Sequence, residues 1–210
     1  MTAINFFYKP MIGISVLASC LLLGSAPVLA DSPITIKHTP VDHATLHAKK
    51  IDRNAPLHVH LFEADTANLG KAKHQDTALL MAHTVPHLLA VDVVESLRDG
   101  GFSNIILQQS NVGENKLKAG ELALVGRFSE LNPGSQAVRA WIGFGAGKSK
   151  VCIKGRIVDS KDISIGEFSH CRSGIGWGNS AGELEQETHS IGDNIAKLLV
   201  EWASGKFAGM

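Results

Sequence analysis

Hydrophobic and polar positions change period several times along this chain, and each change marks an element. Leu57-His58-Val59-His60-Leu61-Phe62 alternates with a period of two, which predicts a strand with Leu57, Val59 and Leu61 turned inward. Between Val85 and Arg98 the spacing lengthens to that of a helix, carried by Leu88, Leu89, Val91, Val93, Val94 and Leu97. Thr84 is its expected N-cap, Pro86 falls in the first turn, and Gly100 is the stop. Ile105–Leu107 reads as a short buried strand. Glu121–Glu130 reads as a longer one that ends in the turn Asn132-Pro133-Gly134. Val151–Asp159 and Ile165–Arg172 read as the arms of a hairpin. The last helix opens with Ser180 and Glu183, the spacing of a capping box. It carries Leu184, Ile191, Ile195, Leu198, Leu199 and Trp202 as one apolar stripe, expected to be core.

This order predicts an α/β (α+β) fold: a mixed β-sheet with two helices packed on one face, the arrangement that buries both stripes. The element order is similar to that of the periplasmic domain of the curli-secretion lipoprotein family. One hairpin register sets Cys152 opposite Cys171, Arg156 opposite Glu167 and Val158 opposite Ile165. It leaves Ile153, Gly155 and Ile157, with His170, Phe168 and Gly166, on the core side. Directly opposed cysteines meet the spacing a disulfide requires, so Cys152 and Cys171 are expected to be bridged.

The first thirty residues follow a different logic. Lys9 is their one charge; an apolar run from Met11 to Leu23 follows, then small residues that include Val28 and Ala30. That is the order of a secretory signal, too short and wrongly flanked for a membrane span. Cleavage is expected after Ala30, giving a periplasmic or secreted protein. Leu17-Ala18-Ser19-Cys20 offers the alternative of an outer-membrane lipoprotein anchored at Cys20, and membrane association is expected only in that case. Residues 31–56, rich in His, Pro, Lys and Asp, read as an irregular His-rich arm with a short strand at Ile34–Ile36. Residues 57–205 read as a single α/β domain. Export places the cysteines in an oxidising compartment.

The chain has 20 basic and 20 acidic residues. So even a balance gives no electrostatic reason for nucleic-acid binding. Gly143-Phe144-Gly145-Ala146-Gly147-Lys148-Ser149 superficially suggests a phosphate loop. A phosphate loop needs four residues between its first glycine and Gly-Lys-Ser; Gly143 leaves three, and a strand rather than a helix follows. No nucleotide or other cofactor is implied. The spacing Phe128, Asn132-Pro133-Gly134-Ser135, Arg139, then residues 143–149, resembles a family of exported bacterial proteins known as domain of unknown function 4410. The likeness covers about residues 120–200. The family supplies no catalytic residues to carry over. Two roles stand open for this run: a structural one, in which its glycines allow a sharp turn into the next strand, and an interaction one, in which Arg139, Gly143, Phe144, Gly145, Gly147 and Lys148 form a candidate interaction loop.

Eight of the ten histidines lie between residues 38 and 87. Imidazole is a common metal ligand, and His43 with His47, His58 with His60, and His83 with His87 have usable spacings. No metal motif fits them, and a break at Thr84–Pro86 would separate the last pair. No Gly-x-Ser-x-Gly elbow or other catalytic signature occurs. The expectation is a non-enzymatic exported envelope protein that binds or assembles with protein, itself or another envelope component. The alternative is a periplasmic metal-binding protein using the His-rich arm.

Overall fold

The computed structural model describes residues 33–36, 39–70, 75–109, 116–134, 147–174 and 180–209. Among them run seven strands: β1 (Ile34–Ile36), β2 (His43–Leu46), β3 (Leu57–His60), β4 (Ile105–Gln108), β5 (Leu122–Asn132), β6 (Lys150–Val158) and β7 (Ser164–Ser173). Helix α1 is Gln75–Asp99 and helix α2 is Ser180–Ala203. The strands form one sheet in the order β1-β2-β7-β6-β5-β3-β4. β3 pairs in parallel with β4 and β5, and every other pairing is antiparallel. The sheet is therefore mixed, with α1 as the crossover between β3 and β4.

Both helices lie against the same side of the sheet. Leu57, Val59, Leu124, Phe128, Ile153, Ile157 and Phe168 turn to that side. They join Leu89, Val93 and Leu97 of α1 and Ile191, Ile195, Leu198 and Trp202 of α2 in one core. The stripe of α2 is fully buried, as its periodicity requires. Trp202 lies over Gly166, whose missing side chain makes room for the ring, and its indole N–H donates to the Ala48 carbonyl at 2.8 Å.

Three expectations are corrected. Residues 31–56 are not merely an irregular arm: β2 pairs with β7 from His43↔Ser169 to Leu46↔Gly166, and β1 pairs with β2. Ala44 and Leu46 alternate into the core, and Asp42 accepts the Cys171 backbone N–H at 2.7 Å, fixing the register. Helix α1 starts ten residues before the expected Val85, because Met81 and Val85 extend the stripe at four-residue spacing to Leu89, Val93 and Leu97. Pro86 sits inside the helix. It removes one backbone donor, a loss the packed stripe outweighs. Ile105–Leu107 is an edge strand rather than a buried one: Ile106 and Leu107 are exposed.

Candidate functional site

Among the described residues the helices cover one face of the sheet and leave the other open. On the covered face Gly126 and Gly155 are directly paired. A Cβ at Gly126 would stand 2.4 Å from the Phe62 ring and one at Gly155 2.3 Å from the Phe168 ring, so the two glycines let both rings lie flat on the backbone. The neighbours of these glycines in each strand necessarily point the other way.

Those neighbours form rows across the open face. One row runs Glu63, Arg127, Lys154, Ser169, His43 over the segment after β3, then β5, β6, β7 and β2. The next runs Val125, Arg156, Glu167, Thr45. Together they line a groove of about 670 Å³. Two cations of this face have acidic partners: Arg156 lies 3.5 Å from Asp162, and Lys150 lies 2.9 Å from Glu130. Arg127 and Lys154, exposed and directly opposed, make no ion pair or hydrogen bond through their side chains among the described residues. Opposed like charges destabilise a sheet.

The third row holds Cys152 opposite Cys171, their sulfurs 2.11 Å apart and their Cα atoms 4.1 Å apart. The hairpin keeps the expected register from Cys152 to Ile157. At Val158 an irregularity shifts the partner from Ile165 to Ser164.

The candidate histidines are spread out. His43 lies in the groove and His60, buried, reaches its wall. His47 is exposed beyond β2. His58 is engaged, with Nδ1 2.9 Å from Gln108 Nε2 and Nε2 3.3 Å from Glu121. His83 and His87 stand one turn apart on the exposed side of α1, because the helix is unbroken at Thr84–Pro86. No group of three or more metal-ligating side chains converges among the described residues.

Of the candidate interaction loop, Arg139, Gly143, Phe144 and Gly145 lie outside the described residues, as do residues 1–30, where a signal is expected, and Cys20 within them. Gly147 and Lys148 are described, Lys148 being exposed. The base of the loop is closed by glycines: Gly134 and Gly147 both take positive φ, and a Cβ on Gly134 would stand 2.3 Å from the Gly147 carbonyl. Ser149, which ends the glycine run, is fully buried. Its Oγ lies 2.6 Å from Glu187 Oε1 and 2.8 Å from Glu183 Oε2, both on α2. A hydroxyl donates one proton, so two carboxyl oxygens at these distances require a second proton, carried by a carboxyl group that donates back to Oγ. Glu187 is the natural holder: burial pushes its carboxyl up to about 7, against the pull of the Ser149 hydrogen bond. Glu183 thus reaches Ser149 with the side chain expected to serve a capping box. The reading of the sequence missed this trio. The available signal was Glu187 itself, an acid on the apolar stripe between Leu184 and Ile191.

Among solved structures, the chain is similar to the PelC dodecamer from Paraburkholderia phytofirmans, with 12% identity, a TM-score of 0.46 and coverage of 69% of this chain and 90% of that one. A point variant of that dodecamer gives 12% identity, a TM-score of 0.41 and coverage of 70% and 90%. No curated protein matches the chain in sequence. The family model for a domain of unknown function, DUF4410, matches residues 34–178, well over half of the chain, from the first described strand to beyond the hairpin. The chain belongs to the DUF4410 family.

Proposed function

We propose that this protein is an exported, non-enzymatic module of the cell envelope that holds a protein partner on the open face of its sheet. The groove across β5, β6, β7 and β2 carries the reading: side chains of four adjacent strands project into one surface that the described residues leave uncovered, with two cations that have no acidic partner among those residues. Its polar groups stand in rows across a broad surface, an arrangement suited to holding an extended partner. Export is supported by the order of charge, apolar run and small residues before Asp31, and by a cysteine pair at disulfide distance. The test is a photo-crosslinking residue at Ser169 in the producing bacterium, with a matched one at Lys197 on α2. A discrete adduct from Ser169 alone supports the reading; no adduct from Ser169 sinks it.

A second reading, metal binding, draws on His83 and His87, which the unbroken helix sets at ligand spacing on an exposed surface. Elemental analysis of untagged protein decides it: less than about a tenth of an equivalent of bound transition metal rules it out.

A further inference from the structure

We infer that the groove recognises an acidic segment of the partner, seated by a carboxylate between Arg127 and Lys154; this rests on the docking role proposed for the open face. Three observations lead there. The two cations are directly opposed on β5 and β6, so their side chains leave the sheet side by side, and a carboxylate between them receives donors from both. Neither has an ion-pair partner among the described residues, although the other cations of this face, Arg156 and Lys150, do. A like-charge pair is unfavourable alone and becomes favourable when an anion bridges it. The row continues through the Ser169 hydroxyl and the His43 imidazole, further polar groups for the backbone of a bound strand.

The geometry also selects the kind of partner. The groove crosses four strands, roughly 15 Å at an interstrand spacing of about 4.8 Å, the length of about four or five extended residues. A sugar or a nucleobase would be recognised by an exposed aromatic platform. Among the described residues the lining has no tryptophan or tyrosine, and its phenylalanine, Phe168, is buried against Gly155 on the other face. Glu63 and Glu167 border the cation pair within the groove. They confine the favourable position for negative charge to the gap between Arg127 and Lys154, so an acid flanked by uncharged residues fits better than a continuous acidic run.

The experiment is a fluorescence anisotropy titration of the purified protein at low salt with labelled decapeptides of alternating glutamate and serine, or of lysine and serine. Polygalacturonate and inorganic phosphate are added as competitors. The glutamate peptide is expected to bind and the lysine peptide not to. The double substitution Arg127→Ala with Lys154→Ala is expected to weaken binding by about tenfold or more, since a single charge-assisted hydrogen bond is worth about that factor. A control pair, Lys150→Ala with Lys161→Ala, should stay within about twofold. The groove variant should melt slightly higher than wild type because it loses a like-charge opposition, and the control, which gives up the exposed Lys150–Glu130 ion pair, should lose no more than about 1 kcal/mol. Binding that survives the groove substitutions overturns the inference. So does tighter binding of polygalacturonate than of the peptide, complete competition by phosphate at equal concentration, or no binding of any probe. The crosslink at Ser169 separates the two proposals. An adduct retained in the groove variant leaves the docking face standing and removes acid recognition, whereas no adduct in wild type removes the docking face itself.

Discussion

Ser149 and Glu187 meet at 2.6 Å inside the protein, and Glu183 closes on the same hydroxyl from 2.8 Å. This contact joins the start of β6 to the first turns of α2. The groups facing Glu187 are Ser149, Glu183 on its own helix, and Arg172 at the end of β7. The Glu187 carboxyl is raised to about 7 from its ordinary value, mainly by burial, so the folded protein holds a proton that the unfolded chain releases. Stability from this site is fully present below the ordinary carboxyl range and falls as pH rises toward 7. The expected loss is roughly 2 kcal/mol between pH 5 and 8. His170 acts in the opposite sense, since burial lowers its pKa and favours the neutral ring. Asp92, raised mainly by burial, acts in the same sense as Glu187. The readout is therefore the difference between wild type and Glu187→Gln in thermal melts across that range. The substitution should flatten the decline, and an identical slope in both proteins would refute the shared proton.

Gly174 lies against the same trio. A Cβ there would stand 2.3 Å from Ser149 Oγ, 2.5 Å from Glu187 Oε1 and 2.9 Å from Glu183 Oε2. Gly174→Ala is expected to push these polar groups apart and to cost about 1–3 kcal/mol in urea denaturation. A cost below about 0.5 kcal/mol would mean that the contact yields freely.

The hairpin cysteines should stabilise the fold by constraining the unfolded chain. Replacing both Cys152 and Cys171 by serine is expected to lower stability by about 3 kcal/mol, close to the effect of adding reductant to wild type. Thiol titration of denatured, unreduced protein taken from its native compartment should find no free thiol at these positions. Two would show that the bridge does not form there.

Processing at the amino terminus tests the proposed export and distinguishes a cleaved form from a lipidated one. Intact mass of protein recovered from the producing cell should match a chain that begins at Asp31. A mass carrying acyl chains on Cys20 would identify a lipoprotein instead.

The hairpin and α2 were legible because local rules set them: opposed residues across one turn, and one stripe at helical spacing. Glu187 interrupts that stripe and marks the buried trio, but acids on a helix are usually solvated, so the sequence alone does not single it out. Thr84 and Pro86 look like a helix start in the sequence, and only the tertiary burial of Met81 and Val85 shows that α1 begins earlier. β2 was hidden among lysines and histidines. Its four residues gain their place from β7, more than a hundred residues later, a partner that no local window contains. The open-face rows were partly legible in the hairpin register, whereas the opposition of Arg127 to Lys154 depends on the pairing of β5 with β6.

The pairing of β2 with β7 also sets an order of events. His43 and Thr45, the outer wall of the groove, find their neighbours only when Glu167–Ser169 are available. That closure spans most of the domain and is entropically slow compared with forming the β6–β7 hairpin. Among the described residues, the three-residue β1 alone caps the sheet edge beyond β2. The outer wall is therefore expected to exchange its amide hydrogens sooner than β5 and β6. A ligand spanning both would slow the exchange of His43–Leu46 most, which makes these four amides a built-in reporter of occupancy.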